Sequence, residues 1–203
     1  LALFYLQHPE FLYRVEGEGT LDDFQVATRM AFLIWGRNPD DALLDAAQAG
    51  ELADAGRRLA HAERMLADPR SESLATRFAG QWLRLQDLDK LIPDYLQYPH
   101  YDDTLAQGMR RETELFVDSL VRENRSVLEL IDSDYTFVNE RVAIHYGIPN
   151  VTGNSFRKVA LTDSNRRGIL GHGSVLALTS IADRTSPVLR GKWIMEVLLG
   201  SPP

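Results

Sequence analysis

The chain has 203 residues, with 22 Lys and Arg against 29 Asp and Glu, a formal net charge of −7, and 44% hydrophobic and 25% charged residues. A chain of this length and ordinary globular composition can bury roughly 70% of its unfolded surface, in one large domain or two small ones. The acidic balance, with its few basic residues scattered, argues against nucleic acid as a partner; no apolar run approaches the ~20 residues of a membrane-spanning helix. The absence of cysteine excludes disulfides, thiolate metal sites, a cysteine nucleophile and thioether attachment of haem within these residues.

In chain order, Leu3 to Arg14 is predicted as a short helix interrupted near Pro9. Thr20 with Asp23 forms a capping pattern that opens a helix with Phe24, Ala27, Ala31 and Ile34 on one face. Met30, Phe32, Leu33 and Trp35 occupy its other face, so this helix is expected to be largely buried. Asn38-Pro39 starts the next helix and Gly50 stops it; residues 55–67 form a more polar helix ending before Pro69. Leu74, Phe78, Trp82 and Leu85 then fall at i, i+4, i+8 and i+11, a core stripe, with Ala75, Ala79 and Gly80 beside it leaving room for a partner helix. A Pro- and Tyr-rich loop runs from Asp87 to Tyr101. Asp102 opens the longest helix, to about Asn124, with Leu105, Met109, Phe116 and Leu120 inward and an Arg110–Glu114 pair on its surface. Ser126 caps a short helix to Ile131. Asp132 and Asp134 are read as caps for a helix from Phe137 to Tyr146, closed by Gly147 and Pro149. Beyond Asn150 the texture becomes turn-rich: Phe156–Leu161 alternates like a short strand, and Gly168, Gly171 and Gly173 interrupt the chain after it. The expected core includes Phe24, Ala31, Phe78, Trp82, Phe116 and Leu120.

Ser186-Pro187 begins the last helix, with serine capping and proline at the first helical position, and Gly200 ends it before Ser201-Pro202-Pro203. Arg184, Arg190 and Trp193 crowd this helix entry. The structural reading is that arginine holds a carboxylate or carbonyl and the tryptophan anchors the core. The functional reading makes Arg184, Ser186, Arg190 and Trp193 an interdomain or anion contact, such as to a haem propionate. A cation near a helix N-terminus needs a compensating partner, for which Asp183 and the acids of 132–140 are the candidates within the chain.

Other chemistry is sparse. His8, His61, His100, His145 and His172 are too dispersed for helical metal spacing, so no metal site is assigned. Asp132-Ser133-Asp134 fails as a calcium loop, because position six is Phe137 and position twelve is Ala143. Glu112 and Glu114, two apart, point to different helix faces. The glycines of 168–174 lack a phosphate-loop lysine, and His172 beside Ser174 lacks a nucleophile elbow, leaving a glycine turn into a helix. Asp94, His100 and Asp102 in the Tyr-rich loop offer a weak carbohydrate-binding surface. No catalytic residue is assigned.

Arg167-Gly168-Ile169-Leu170-Gly171-His172-Gly173-Ser174-Val175-Leu176-Ala177-Leu178-Thr179-Ser180 and the run Arg184 to Pro203 resemble a family of large multidomain proteins abundant in planctomycete-type bacteria. These are tandem domains of unknown function joined to c-type cytochrome modules. Phe78-Ala79-Gly80-Gln81-Trp82-Leu83, Arg110 to Phe116 and Asp134 to Arg141 carry the same resemblance, and Pro9 to Glu16 resembles a junction with a preceding helical domain. The resemblance implies an exported protein associated with electron transfer. Its covalent haem c would lie in a downstream domain, and no cofactor lies within this chain.

Together these readings predict an all-α fold, an irregular multi-helix bundle with a turn-rich C-terminal subdomain that has room for one short β-hairpin or strand. Residues 1–19 end a preceding helical domain, 20–149 form a helical domain, and 150–203 begin a following domain leading into a Pro-rich linker. The chain is expected to be a fragment of a longer polypeptide. Its expected role is a non-catalytic scaffold whose partners are other domains of that polypeptide, including a haem-c module. The alternatives are part of a hydrolase or oxidoreductase acting on carbohydrate or another biopolymer, and a protein-interaction module.

Overall fold

The computed structural model describes residue 4, residues 6–9 and residues 19–203. Most of the helix expected from Leu3 to Arg14 lies outside the described residues. The fold is predominantly helical, and the chain divides into two compact units, Leu1–Ser71 and Glu72–Pro203.

In the first unit, α1 (Asp23–Trp35), α2 (Asp41–Gln48) and α3 (Ala55–Ala67) pack around Ala27, Ala31, Leu43, Leu52 and Met65. The cap of α1 is Asp22 rather than Thr20. Asp22 accepts from the Gln25 backbone N–H while the Gln25 side chain accepts from that of Asp22, a reciprocal box that satisfies two orphan donors. Small residues bring α1 close to its neighbours on one side only. Phe24 lies in the first turn, ahead of that stripe, and is 51% exposed; Phe32 and Leu33 are also exposed, so the helix is one-sided rather than buried all round. Trp35 closes the unit. Its indole N–H donates to the Met65 carbonyl at 2.9 Å, and the Arg70 guanidinium lies 3.5 Å above its ring. Arg64 reaches both Asp40 oxygens, at 2.8 and 3.0 Å.

The second unit opens with a π-wound stretch, Leu74–Ala79, that runs into an α-helical turn, Gly80–Trp82. The wider π winding changes which side chains face inward. The buried positions are Ala75, Ala79 and Leu83, while Phe78 is 51% exposed and stacks on the half-buried Trp82 at 6.1 Å. The stripe expected at 74, 78, 82 and 85 is thus displaced by one residue until Leu85, which is buried.

The longest helix, α5 (Asp103–Arg122), follows the π/α segment, here counted as α4. Asp102 caps it, accepting from Leu105 N–H at 2.7 Å. Its inward face, Leu105, Met109, Phe116 and Leu120, follows the sequence pattern. Glu114 takes Arg111 as its partner at 3.2 Å; Arg110 instead pairs with Asp89 at 3.4 Å. A short helix α6 (Glu129–Asp132) precedes β1 (Tyr135–Val138), and α7 (Glu140–Tyr146) is capped by Asn139. The helix expected from Phe137 therefore begins three residues later, and Asp132 and Asp134 do not cap it. The Tyr-Thr-Phe-Val run takes strand form because it finds a partner: β2 (Arg157–Ala160) pairs antiparallel with it, Tyr135 opposite Ala160.

The rest of the unit comprises α8 (Gly173–Leu178), a hairpin of β3 (Ser180–Ile181) and β4 (Arg184–Thr185), and α9 (Pro187–Trp193), which continues as π-helix over Ile194–Leu198. One core gathers Ala79, Leu83, Leu85, Phe116, Leu120 and Tyr135 with Ile169, Val175, Trp193 and Val197. The Trp82 indole N–H donates to the Val197 carbonyl at 2.7 Å, fastening α4 to the last helical segment.

Glycines make the close approaches in this core. Gly168 has φ +60°, and a Cβ there would overlap the Ile131 carbonyl; one at Gly171 would overlap the Arg166 backbone. Gly171→Ala should therefore cost about 3 kcal/mol or more, because backbone cannot yield as a side-chain tip can. Gly191 lies within α9 with open space around it, so Gly191→Ala should stabilise by about 0.5–1 kcal/mol. Urea midpoints of the two variants check the pair.

Candidate functional site

Two adjoining features of the Glu72–Pro203 unit draw polar side chains together. The first is a buried cluster beneath α5. Glu112 follows Met109 on the inward face of that helix and exposes no surface. The Thr136 hydroxyl, from β1, donates to its Oε1 at 2.6 Å, and the Tyr146 phenol, at the end of α7, donates to its Oε2 at 2.5 Å. The same phenol oxygen accepts from the Gly173 backbone N–H at 2.6 Å. Position 173 is glycine for a spatial reason: a Cβ there would stand 2.5 Å from Met109 Sδ and 2.8 Å from the Tyr146 oxygen.

The next residue of α5 makes the second half of the cluster. Thr113 Oγ1 lies 3.0 Å from His172 Nδ1 and 2.7 Å from Ser174 Oγ, and all three residues are buried. His172 also meets the Phe116 ring edge-on at 4.9 Å. Serine and histidine thus meet through a threonine, inside the core, and the glycine turn leads into α8 as its sequence implies. Two adjacent helix positions, 112 and 113, tie the strand β1, the end of α7 and the start of α8 to one spine.

Burial dominates the electrostatics. It pushes Glu112 up to about 7, against the Thr136 and Tyr146 hydrogen bonds and the nearby Arg166 charge, which favour the carboxylate. It holds His172 down to about 3, and burial together with Glu112 raises the Tyr146 phenol well above its ordinary value. Between about pH 3 and pH 7 the cluster therefore carries its acid and its imidazole in neutral form.

The second feature is a cleft of about 260 Å³ beside the cluster. The loop of residues 91–101 forms one wall and is tied to the β3–β4 hairpin by Asp94 N–H to the Ala182 carbonyl at 2.8 Å. Met109, Leu176, Ala177 and Ile181 line it together with Tyr98, Tyr101 and Tyr146. Arg166 closes one side, its guanidinium carbon 4.4 Å above the Tyr146 ring.

This cluster and the core around it join two stretches of chain that match different family models. Residues 21–148, more than half of the chain, match PSD4, a protein of unknown function (DUF1592). The chain belongs to the PSD4 family. Residues 166–203 match PSCyt3, also a protein of unknown function (DUF1588), so two domains of unknown function stand in tandem. No curated protein and no solved structure matches the chain. Within this PSD4 member the PSCyt3 stretch supplies Ile169, Val175, Trp193 and Val197 to the core that Phe116 and Leu120 occupy. His172 and Gly173 likewise complete a cluster whose other half, Glu112, Thr113, Thr136 and Tyr146, is PSD4 sequence.

The residues singled out at the last helix lie apart from this cluster's hydrogen bonds. Ser186 caps α9, accepting from Leu189 N–H at 3.3 Å, with Pro187 at the first helical position. Arg190 has no carboxylate partner among the described residues: its Nε donates to the Thr179 hydroxyl at 3.4 Å, and neither Asp183 nor the acids of 132–140 pair with it. The cation is tolerated because Arg190 is only half-buried, so water still reaches it. Trp193 is buried in the core, and its indole N–H has no partner among the described residues. Arg184 sits in β4, exposed, its backbone opposite Ile181. In the loop, Asp94 accepts from Leu96 N–H at 2.8 Å, and Asp102 caps α5 and meets Arg141 at 3.1 Å. Each acid is committed to its own local bond. Among the described residues no three His, Asp or Glu converge as a metal would require.

Sequence reasoning does not single out Glu112, Thr113, Thr136, Tyr146 and Arg166 as partners of one another. The available signal is that 105, 109, 112, 116 and 120 form one helical stripe with an acid on it.

Glu112 holds its proton more tightly in the folded chain than in the unfolded one. Between its unfolded value near 4.5 and its folded value of about 7, the native state therefore loses about 3 kcal/mol of stability as pH rises. His172 acts in the opposite sense: its unfolded value is 6.5 and its folded value about 3, so stability is lost as pH falls through that range. Glu112→Gln should remove the first slope and leave the second. Urea unfolding from pH 4.5 to 7.5 should show the wild type losing about 3 kcal/mol relative to the variant as pH rises. A constant difference would show that Glu112 titrates alike in both states.

Proposed function

We propose that this chain is a non-catalytic helical scaffold in an exported, haem-c- and electron-transfer-associated multidomain protein, with the haem borne covalently by another domain of the same polypeptide. The observation that carries this reading is the use made of its buried polar groups. Glu112, Thr136, Tyr146 and Gly173 satisfy one another, and Thr113 joins His172 Nδ1 to Ser174, with His172 Nε2 closed off from solvent in the core and without a partner among the described residues. Groups engaged in this way join helices and strands and are not presented to a substrate.

Three further observations support it. The PSCyt3 name attached to residues 166–203 points to a cytochrome association. The sequence has no cysteine, so thioether attachment of haem has to come from other residues. Val188, Leu189, Met195 and Leu199 are exposed along the helical segment that buries Trp193, which favours docking of neighbouring domains on that segment. In this reading the resemblance to planctomycete-type multidomain proteins extends to export as well as to domain order.

The test is a haem stain on a denaturing gel of the mature natural polypeptide that contains this chain, taken from its exported fraction. Peroxidase activity migrating with that polypeptide is the expected outcome. A mature exported polypeptide without covalent haem contradicts the proposal.

A further inference from the structure

Between Leu74 and Arg84 the chain makes three local choices that work against stability. Leu74–Ala79 is π-wound, a rare winding that recurs at functional sites. Arg84 holds a left-handed backbone at φ +60°, a costly conformation for a residue with a side chain. Gly80 stands in ordinary helical geometry, at φ −56° and ψ −44°, where alanine would be the more stable residue. Packing does not call for a glycine there. Beyond its own turn of helix, the nearest atom a Cβ would meet is the Ala75 carbonyl oxygen, at 4.0 Å.

What these choices share is a groove of about 600 Å³, a size usual for ligand sites. Thr76, Arg77, Gly80 and Gln81 line it from α4, Gln86 from the 3₁₀ turn Leu85–Lys90, and Arg110 and Glu114 from α5. Gly80 is buried at its floor, so a methyl group there would project into the groove. The reversal at Arg84 sets Gln81 and Gln86 on the same groove. Both side chains are exposed, and neither amide has a hydrogen-bond partner among the described residues. The charges balance: Arg77, Arg110 and Arg111 stand against Glu72, Asp89 and Glu114. Arg111 bridges Glu72 and Glu114, while Arg110 pairs with Asp89 at 3.4 Å. A charged ligand therefore meets no surplus of the opposite sign. The lining has no apolar or aromatic side chain, so a peptide finds no pocket for its own apolar side chains. Sugar hydroxyls donate and accept at once, as do the primary amides and hydroxyl that face them.

We infer that the groove between α4 and α5 binds a neutral oligosaccharide, with Gln81 and Gln86 hydrogen-bonded to its hydroxyls and Gly80 leaving room for a sugar ring against the helix. Without an aromatic platform the ligand is held by hydrogen bonds, so its affinity is modest. The inference goes beyond the scaffold reading and does not rest on haem, since the groove is built from residues of this chain only.

Titration of the isotope-labelled 203-residue chain, followed through its amide resonances, tests the inference. The probes are maltotriose, cellotriose and xylotriose as neutral trisaccharides, trigalacturonate as a charged one, and end-blocked triglycine as a peptide. At least one neutral trisaccharide should saturably shift the Gly80 backbone amide and the Gln81 and Gln86 side-chain amides. Trigalacturonate and the peptide should bind about tenfold more weakly or not at all. Gly80→Ala should weaken the trisaccharide by about tenfold or more while raising the urea midpoint, the reverse of what a glycine needed by the fold would give. Gln81→Ala and Gln86→Ala, at exposed positions, should each weaken it severalfold. The inference is overturned if no neutral trisaccharide gives a saturable shift, or if trigalacturonate or the peptide binds as tightly. Binding unchanged in Gly80→Ala and the glutamine variants, or a lowered midpoint for Gly80→Ala, overturns it equally. None of these results bears on the haem stain, so the two proposals fail separately.

Discussion

Everything in the second unit depends on getting a carboxyl group into the middle of α5 without leaving it unsatisfied. Glu112 occupies a position where the helical stripe calls for an apolar side chain, and burying a bare carboxylate there would cost several kcal/mol. Thr136 and Tyr146 prevent that by donating to its two oxygens, and the Gly173 N–H then orients the phenol. Each partner comes from a different element. The bond set thereby fixes the height of β1, the end of α7 and the start of α8 against one helix. A leucine at 112 could fill the space, but it would specify none of these positions.

That constraint explains why the glycine-rich run is where it is. For Gly173 N–H to reach the Tyr146 oxygen, the backbone must come within contact distance of both the phenol and Met109, and any side chain would hold it off. Gly168 and Gly171 bring the preceding turn equally close to Ile131 and to the Arg166 backbone. The run that looks on paper like a loose phosphate loop is a set of backbone-to-core contacts. It is also the joint at which the PSCyt3 stretch meets the PSD4 stretch. Two sequence families that appear as successive domains thus share one hydrophobic core here, with Trp82 and Val197 bonded across 115 positions of chain.

Much of the helical layout is legible in the sequence, because capping residues and stripes are local signals. Residues 55–67, the Asp102 cap and the inward face of α5 come directly from them. The features that escape a sequence reading depend on partners distant in the chain. Tyr135–Val138 has the composition of either a helix start or a strand, and only the pairing with Arg157–Ala160 decides it. A stripe at 3.6 residues per turn puts Phe78 inside, whereas Leu74–Ala79 is π-wound and turns it outward. The cluster is half visible. Glu112 stands out as an acid and His172 and Ser174 as a pair, yet nothing local shows that Thr113 stands between them. A cation at Arg190 calls for an acid on local grounds; it meets a threonine hydroxyl instead, and its partial exposure leaves the rest of the charge to water.

Residues 72–148 and 166–203 on this view form one cooperative unit around Glu112 and Phe116. Native-state hydrogen exchange over a series of low denaturant concentrations tests that most directly, because it reports the opening free energy of each amide separately. The protected amides of α5, at Phe116 and Leu120, and those at Leu176 and Thr179 in the α8 region should exchange through the same global opening, with one free energy and one denaturant dependence. If the amides of 166–203 instead open independently, at much lower free energy and with α5 still protected, the shared core does not exist as a thermodynamic unit and its proposed unity is contradicted.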